Sequence, residues 1–369
     1  MDRINRKLNI LLVAPYGGVP GGISRWTSHI LDYYNHYATD DCSLDLVPMG
    51  RTMFVNISTP TWKRLWTAWI DYRKILADFN RKIKSAYDVM HLTSSGGLSL
   101  YKDLYMIRRA KKYGTKSIIH FHFGRIPELV QQNNHEWKLV KKVVSEVDKV
   151  IVIDQMSYDT LVSLGFKNIA IMPNPIAPAV EKIVSDNRNI TRTKREILFT
   201  GHVVKTKGIF ELLKACSKID DIHLKIVGHI TADMQTEIEN IYGKPGWLTI
   251  SGEKPYEDVI KDMMQCDIFV LPTYTEGFPN VILEAMAAGC AIVSTPVGAI
   301  PQMLEDDEHG KYGVFVTPKD DASLQKAIED ILDNESLKQT MRLNVQRRVS
   351  ERYNIRSVWN KMLSIWENC

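Results

Sequence analysis

Short apolar runs alternate with longer amphipathic stretches through most of the sequence, which is the pattern of βα units that build a parallel sheet. Six such runs in the first half predict strands at Ile10–Ala14, Leu44–Val47, Val89–Leu92, Ser117–His122, Lys149–Ile153 and Ile169–Met172. Six more in the second half predict strands at Ile197–Thr200, Leu224–Val227, Leu248–Ser251, Ile268–Leu271, Ala291–Ser294 and Val314–Val316. The predicted fold class is therefore α/β, with two Rossmann-like parallel sheets.

Chain length predicts two domains. The 369 residues exceed what one hydrophobic core usually supports, so we expect two domains of about 150 to 190 residues. We place the first domain at residues 1–175 and the second at 196–350. The polar, proline-containing stretch 176–195 predicts a linker, and apolar residues at helical spacing predict a packed helix within 351–369.

Composition is that of an ordinary globular protein, with 44% hydrophobic and 24% charged residues. A formal charge of +4 is too small to predict nucleic acid as a partner, although it permits anionic substrates or an anionic membrane surface. The five cysteines are scattered and lack the spacing of metal ligands, which favours free thiols in a reducing cytoplasm. The first residues predict a strand rather than a signal peptide, and no apolar run is long enough for a transmembrane helix.

The run EGFPNVILE begins at Glu276 and ends at Glu284, directly after a predicted strand. Gly277 allows the chain to turn sharply off the strand, and Pro279 has the fixed φ that suits a first helical position. A short helix from about Pro279 to Ala288 is therefore expected. Open α/β sheets bind ligands at such a turn, where the carboxyl ends of the strands lie.

The residue types in this turn suit a nucleotide sugar. The free amides at a helix N-terminus favour an anionic group such as a phosphate. Carboxylates accept hydrogen bonds, so Glu276 and Glu284 suit the hydroxyls of a sugar and a ribose. The alternative is that both glutamates are simply solvated surface residues.

The longer stretch LPTYTEGFPNVILEAMAAGCAIVSTPVGAIPQML, with the later GVFVTPKD, resembles the donor site of the retaining glycosyltransferases of family 4, group 1. The resemblance implies the GT-B fold, in which two Rossmann-like domains face a central cleft and a C-terminal helix crosses back to the first domain. It also implies that Glu276 contacts the transferred sugar and Glu284 the ribose. The residues that it assigns to the donor in between are Gly277, Phe278, Pro279 and Asn280.

The run FTGHVVKTKG follows a strand and opens a helix, which places its glycines and lysines where a phosphate binds. It resembles a family motif in which Gly201 and Lys207 take matching positions in the diphosphate site. His202 departs from the motif, which has arginine there, and a histidine is half-charged only around pH 6.5. We therefore predict that Lys207 is the main cation for the diphosphate.

Two motifs in the first half are further candidates. In PYGGVPGGISRW, the residues alone favour a tight turn after the strand, but the resemblance implies that Gly21 and Gly22 approach the donor phosphate. In SIIHFHFGR, His120 and His122 alternate and so share one face of a strand. Either can be a buried structural residue, and the resemblance favours His122 as the histidine that orients the donor sugar.

Residues 61–84 form an aromatic and basic amphipathic pattern that includes Trp62, Trp66 and Trp69. Such a helix can lie on an anionic membrane. The same stripe also arises when a helix covers a sheet, and that is the more frequent case. A cytoplasmic protein with peripheral contact at the inner face of the membrane is one expectation that follows.

These observations predict a retaining, metal-independent glycosyltransferase without a cofactor. We expect a nucleoside-diphosphate sugar as donor, with UDP preferred over GDP, and a glycan or lipid-linked acceptor in surface polysaccharide biosynthesis. The predicted catalytic residues are Glu276, His122 and Lys207. Two alternatives are another GT-B enzyme, such as an epimerase or an inverting transferase, and a catalytically silent nucleotide-sugar-binding protein, which His202 motivates.

Overall fold

The structure is a computed structural model that describes residues 7–17, 21–50 and 61–369, apart from the side chains of 61–65 and 67–69. The chain divides into two compact units. The first comprises Met1–Pro175 together with Ile355–Cys369, and the second comprises Ile176–Asn354.

The first unit is built on one parallel sheet. Its strands are β1 Leu8–Ala14, β2 Cys42–Pro48, β3 Val89–Ser94, β4 Lys116–Phe121, β5 Lys149–Val152 and β6 Ile169–Ile171. They are ordered β2-β1-β3-β4-β5-β6. The helices that connect them are α1 Gly22–Tyr33, α2 Thr61–Lys82, α3 Ser99–Lys112, α4 Ile126–Gln132, α5 His135–Glu146 and α6 Gln155–Ser163.

The second unit contains another parallel sheet. Its strands are β7 Glu196–Thr200, β8 His223–Val227, β9 Leu248–Ile250, β10 Ile268–Leu271, β11 Ala291–Ser294 and β12 Val314–Phe315. They are ordered β12-β11-β10-β7-β8-β9. The helices are α7 Pro178–Asp186, α8 Ile209–Cys216, α9 Ala232–Tyr242, α10 Tyr256–Gln265, α11 Asn280–Ala287, α12 Ile300–Leu304, α13 Asp321–Leu332 and α14 Glu335–Arg348.

All twelve predicted strands are confirmed, with bounds within two residues of those expected. The sequence of strand β1 is apolar from Ile10 to Ala14 because both of its faces are buried. Leu11 and Val13 enter one hydrophobic core, whereas Ile10, Leu12 and Ala14 enter another. Because successive side chains point to opposite faces, this sheet is covered on both sides, as parallel sheets usually are.

A last helix, α15 Ile355–Glu367, packs in the first unit although it follows the second unit in the chain. Its Trp359 and Trp366 are fully buried in the core that contains Ile10 and Leu12. The Trp359 indole N–H donates to Asp41 Oδ2 at 2.7 Å, which anchors the helix next to β2. The helix starts four residues later than the segment 351–369 that we predicted, because residues up to Asn354 belong to the second unit.

The segment 176–195, which we predicted to be a linker, lies in the second unit and contains α7. Val180 is fully buried there. Arg192 donates to the carbonyl oxygens of Cys266 at 2.7 Å and Ala288 at 2.8 Å. The polar composition that suggested a linker thus arises partly because an arginine side chain binds the ends of neighbouring elements.

A buried ion network holds α14 against the sheet of the second unit. Asp267 precedes β10, and its carboxylate lies 3.0 Å from Lys338 Nζ and 2.7 Å from Arg342 Nη2. The side chains of these three residues are only 4%, 4% and 8% exposed. The backbone N–H of Arg195 also donates to Asp267 at 3.0 Å, so one carboxylate binds two cations and one amide.

Candidate functional site

The turn that carries Glu276 leads from β10 to α11 as predicted, and Gly298 lies against its backbone. Gly298 has φ +56°, and a Cβ there would lie 2.3 Å from the carbonyl oxygen of Glu276. The N–H of Ala299 donates to the carbonyl oxygen of Gly277 at 2.8 Å. Pro279 lies at the N-cap rather than the first helical position, because α11 begins at Asn280. The loop after β11 therefore holds the Glu276 backbone in place.

Lys207 and Glu276 form an ion pair at the carboxyl edge of this sheet. Lys207 ends a 3₁₀ turn between β7 and α8, and Gly208 follows it with φ +72°. A Cβ at Gly208 would lie 2.1 Å from the carbonyl oxygen of Pro272, so only glycine permits this approach of the two loops. Since β7 and β10 are neighbours in the sheet, the fold brings together two charges that are 69 positions apart.

The N-terminus of α11 adds backbone donors next to this pair. The N-cap of the helix is Pro279, whose side chain makes no capping hydrogen bond. Phe278 and Pro279 are buried, and the Phe278 ring contacts that of Tyr353 at 6.1 Å between centroids. A helix N-terminus carries partial positive charge, so the site combines a lysine with an electrostatic environment that favours anions.

Glu284 lies on the second turn of α11, where its carboxylate accepts a hydrogen bond from the Tyr256 hydroxyl at 2.7 Å. Tyr256 is the first residue of α10. Tyr256 is not among the site residues predicted from the sequence, and it directly follows the loop between β9 and α10. Tyr256 therefore adds a polar side chain to the candidate site beside Glu284.

His202 is exposed and lies beside a second histidine that the sequence analysis did not select. Its ring centroid is 5.9 Å from that of His229, in the loop after the neighbouring strand β8. Each histidine follows a glycine with φ +143°, namely Gly201 and Gly228. A Cβ on Gly228 would lie 1.9 Å from the carbonyl oxygen of Gly201, so the two loops are in direct backbone contact. The repeated Gly-His dipeptide at two strand ends is the sequence feature that could have indicated this pair of histidines.

Lys205, two positions before Lys207, has a different environment. Its ammonium lies 2.6 Å from Glu237 on α9 and is largely exposed. The structure thus distinguishes the two lysines of the motif, because only Lys207 reaches Glu276.

In the first unit, Gly21 is the N-cap of α1 and Gly22 is its first residue. Gly21 has extended backbone angles, and its carbonyl oxygen accepts from the Arg25 N–H at 2.9 Å. Among the described residues, no atom lies within 4 Å of a Cβ built on either glycine. Packing inside the described part of this unit therefore does not require glycine at these two positions.

His122 belongs to a set of five aromatic residues that we call the histidine cluster, formed by Trp26, His91, His120, His122 and Trp366. The rings of His120 and His122 lie 3.9 Å apart between centroids, which confirms that they share one face. Trp26 contacts these two rings at 5.3 and 5.0 Å. Burial lowers the pKa of His91 and of His122 to about 3, and lowers the pKa of His120 well below its usual range. All three imidazoles are therefore neutral near pH 7.

The histidine cluster predicts that the first unit loses stability in acid. Each folded-state pKa lies below the unfolded value of about 6.5, so the unfolded chain binds more protons between pH 6.5 and about 3. Stability is complete above pH 6.5 and falls as pH decreases through this window. In His91→Gln, the pH dependence of the free energy of unfolding should be weaker by up to about 1.4 kcal/mol per pH unit.

Urea unfolding between about pH 7 and pH 4.5, followed by hydrogen exchange in peptides from β3 and β4, measures this dependence. His36→Gln is the matched control, because His36 is exposed in the same unit. Equal pH dependence in wild type, His91→Gln and His36→Gln would contradict the prediction.

Two kinds of feature are absent from the described residues. No three His, Cys, Asp or Glu side chains among them are grouped so as to hold a metal ion. Within the same ranges, no helix has the length and apolar character needed to span a membrane.

Part of the second unit is similar to a known protein family. Residues 181–348 match the family model of glycosyl transferases group 1. The capsular polysaccharide biosynthesis glycosyltransferase CapM of Staphylococcus aureus is 26% identical over 237 residues, which are 61% of this chain and 58% of that protein. The teichuronic acid biosynthesis glycosyltransferase TuaC of Bacillus subtilis, a putative assignment, is 29% identical over 136 residues, which are 37% and 32% of the two chains. The matches thus span only part of these relatives.

Solved structures share the fold of the whole chain. HepE of Anabaena in complex with UDP has a TM-score of 0.71 at 16% identity, covering 98% of this chain and 100% of that one. Sucrose-phosphate synthase of Thermosynechococcus elongatus has a TM-score of 0.70 at 16% identity, covering 98% and 99%. The two Rossmann-like units thus have the GT-B fold. Residues 181–348 are thus similar to the group 1 glycosyl transferases.

Proposed function

We propose that the protein transfers a sugar from a nucleoside-diphosphate sugar to a glycan or lipid-linked acceptor, with retention of configuration and without a metal ion. The observation that carries the proposal is the Lys207–Glu276 ion pair beside the N-terminus of α11, inside the group 1 domain. A cation, helix amides and a carboxylate are the groups that a diphosphate and a sugar hydroxyl require.

The chemistry follows from where charge develops. Cleavage of the sugar–phosphate bond leaves negative charge on the departing diphosphate, which Lys207 and the α11 amides can stabilise. An ammonium has three N–H donors, so Lys207 can keep one on Glu276 while it binds phosphate oxygens. Glu276 then orients the transferred sugar through its hydroxyls, and the ion pair holds the carboxylate in place. Glu284 and Tyr256 bind the ribose.

The donor and acceptor classes are part of this proposal. UDP is the preferred nucleotide, because HepE, which has the same fold, is known in complex with UDP. Surface polysaccharide biosynthesis is the preferred context, because CapM is named for capsular polysaccharide biosynthesis. For the first unit, the resemblance assigns Gly21 and Gly22 to the donor phosphate and His122 to the sugar, and we include these roles in the proposal. The partners are small molecules and glycans rather than nucleic acid.

A panel of UDP-, GDP- and ADP-sugars tests the function. We expect a UDP-sugar to raise the melting temperature of the wild type most. The wild type should also use this compound as a donor, either for sugar transfer or for a slow hydrolysis of the donor. Glu276→Gln keeps the shape of the side chain and removes its charge, and it should lower kcat about 100-fold or more. Donor binding without turnover by the wild type would favour the silent binding protein instead, and full activity of Glu276→Gln would remove this residue from the site.

We also propose that the first unit contacts an anionic membrane through the start of α2. The side chains of Trp62 and Trp69 lie outside the described residues, whereas Trp66 is 59% exposed. Further along α2, Phe79 is fully buried against the sheet. The aromatic stripe therefore covers the core at one end and exposes a tryptophan near the other. Such exposed aromatic side chains among basic residues favour a membrane–water interface of anionic lipids.

Vesicle flotation measures this contact. The wild type should float with anionic vesicles and not with zwitterionic ones, and Trp66→Ala should weaken binding about tenfold through the loss of apolar contact. Tyr37→Ala is the control, because Tyr37 is an aromatic residue that is 76% exposed elsewhere in the first unit. An absence of wild-type binding to anionic vesicles would exclude the membrane contact.

A further inference from the structure

The Trp366 indole N–H determines the directions of the hydrogen bonds in the histidine cluster. An indole N–H can only donate. Trp366 Nε1 lies 3.0 Å from His91 Nδ1, so this nitrogen accepts and neutral His91 carries its proton on Nε2. His91 Nε2 lies 3.3 Å from His120 Nδ1. That contact is then a donation from His91 to His120, and His120 also carries its proton on Nε2.

One tryptophan of α15 therefore sets the tautomers of two histidines on β3 and β4. The chain of donors runs from Trp366 to His91 and from His91 to His120, with all three side chains buried. A tautomer that depends on the hydrogen bond at the other ring nitrogen is a general property of histidine. Here that dependence passes through two rings in succession.

The last ring in this series of hydrogen bonds, His120, packs against His122. The His120 ring packs on the His122 ring at a centroid distance of 3.9 Å, with 39° between the ring planes. On another side, Trp26 packs edge-on against His122 at 5.0 Å. The His122 backbone N–H donates to the Ser94 carbonyl oxygen at 3.0 Å, so its backbone is held by the sheet. The remaining freedom of His122 is the rotation of its ring, which His120 and Trp26 restrict.

We propose that Trp366 is a positioning residue that fixes the His91 and His120 tautomers and thereby the ring orientation of His122. The inference rests on the proposed function, because His122 is the residue proposed to orient the donor sugar. Trp366 acts through its indole N–H and not only through its bulk. Replacement by phenylalanine, which keeps an aromatic ring and removes the donor, separates these two contributions.

Trp359→Phe is the matched control for Trp366→Phe. Both tryptophans are buried in α15, and both donate one indole hydrogen bond. The Trp359 N–H, however, goes to Asp41 and not to a histidine. Loss of packing and loss of one indole hydrogen bond are therefore common to both variants, while the hydrogen bond to His91 is lost only in Trp366→Phe.

Nitrogen NMR of histidine-labelled protein reads the tautomers directly. In the wild type and in Trp359→Phe, His91 and His120 should each show a protonated Nε2 and an unprotonated Nδ1. In Trp366→Phe, His91 should populate both tautomers. Protonation of wild-type His120 on Nδ1, or identical tautomer signals in all three proteins, would overturn the proposal. This measurement does not depend on any enzymatic activity.

Transfer kinetics supply the second readout. Trp366→Phe should lower kcat about tenfold, the rate equivalent of about one hydrogen bond, while Trp359→Phe stays close to the wild type. Equal kcat values for the two variants would overturn the positioning role even if the tautomers change. If the wild type transfers no sugar from any donor, the proposed function fails, and so does the role of Trp366 in it. The hydrogen-bond chain would still be judged by NMR.

Discussion

Lys207→Ala is expected to lower kcat for sugar transfer by about 100- to 1000-fold, the range measured when one group that stabilises developing negative charge is removed. The structure provides two reasons for so large an effect. Lys207 is the cation that reaches the turn before α11, where the departing diphosphate is proposed to bind. Its loss also leaves the Glu276 carboxylate, which is only 13% exposed, without its partner and beside the incoming phosphates. Steady-state transfer assays with the donor chosen by thermal shift measure both kcat and KM.

Lys205→Ala is the control for this experiment. Both lysines belong to the same 3₁₀ turn, but the Lys205 ammonium pairs with Glu237 and is 61% exposed. Its removal should change kcat less than about twofold, as expected for a surface pair. Unchanged turnover and donor affinity in Lys207→Ala would refute the assigned diphosphate site. Similar losses in the two variants would indicate that general positive charge, and not the Glu276 contact, is what the donor needs.

Asp267→Ala is expected to destabilise the second unit by about 3–5 kcal/mol, the cost of removing one partner from a buried ion pair. The substitution would leave Lys338 and Arg342 buried without the carboxylate that lies between them. The effect should appear first where α14 meets the sheet. Hydrogen exchange followed by mass spectrometry, with urea unfolding, resolves the second unit from the first. Peptides from β10 and α14 should lose protection.

A second aspartate provides a matched comparison. Asp321 also lies between two cations, at 2.9 Å from Lys214 and 3.0 Å from Lys218, but these lysines are 58% and 45% exposed. Asp321→Ala should therefore cost only about 0.2–1 kcal/mol. Equal destabilisation by the two substitutions would show that burial does not control the energy of these networks.

The sequence predicted the strands and helices that carry the candidate site better than it predicted the contacts between their side chains. Short apolar runs located the twelve strands of the described residues, because a buried parallel strand is apolar on both faces. The turn with Glu276 and the helix with Glu284 also lie where their glycines and prolines indicated. The pairing of Lys207 with Glu276, by contrast, depends on the order of strands in the sheet, which local spacing does not encode.

Contacts between residues that are far apart in the sequence account for the structural features that the sequence did not predict. Trp366 and His91 are 275 positions apart, and each has an ordinary apolar or strand context in the sequence. Asp267 looks like a solvated turn residue until the cations of α14 are placed beside it. The linker prediction was wrong for a related reason, because polar residues such as Arg192 can be structural when carbonyl groups at the ends of other elements lie within reach.

The return of α15 to the first unit has a consequence for biosynthesis. The second unit is one continuous stretch, Ile176–Asn354, and it can complete its core as soon as that stretch is available. The first unit cannot, since Trp359 and Trp366 fill its core and are synthesised after the whole of the second unit. Domains usually fold in the order in which they leave the ribosome. In this chain we expect the second unit to reach its native state first. The first unit should reach its native state only after α15 has been synthesised.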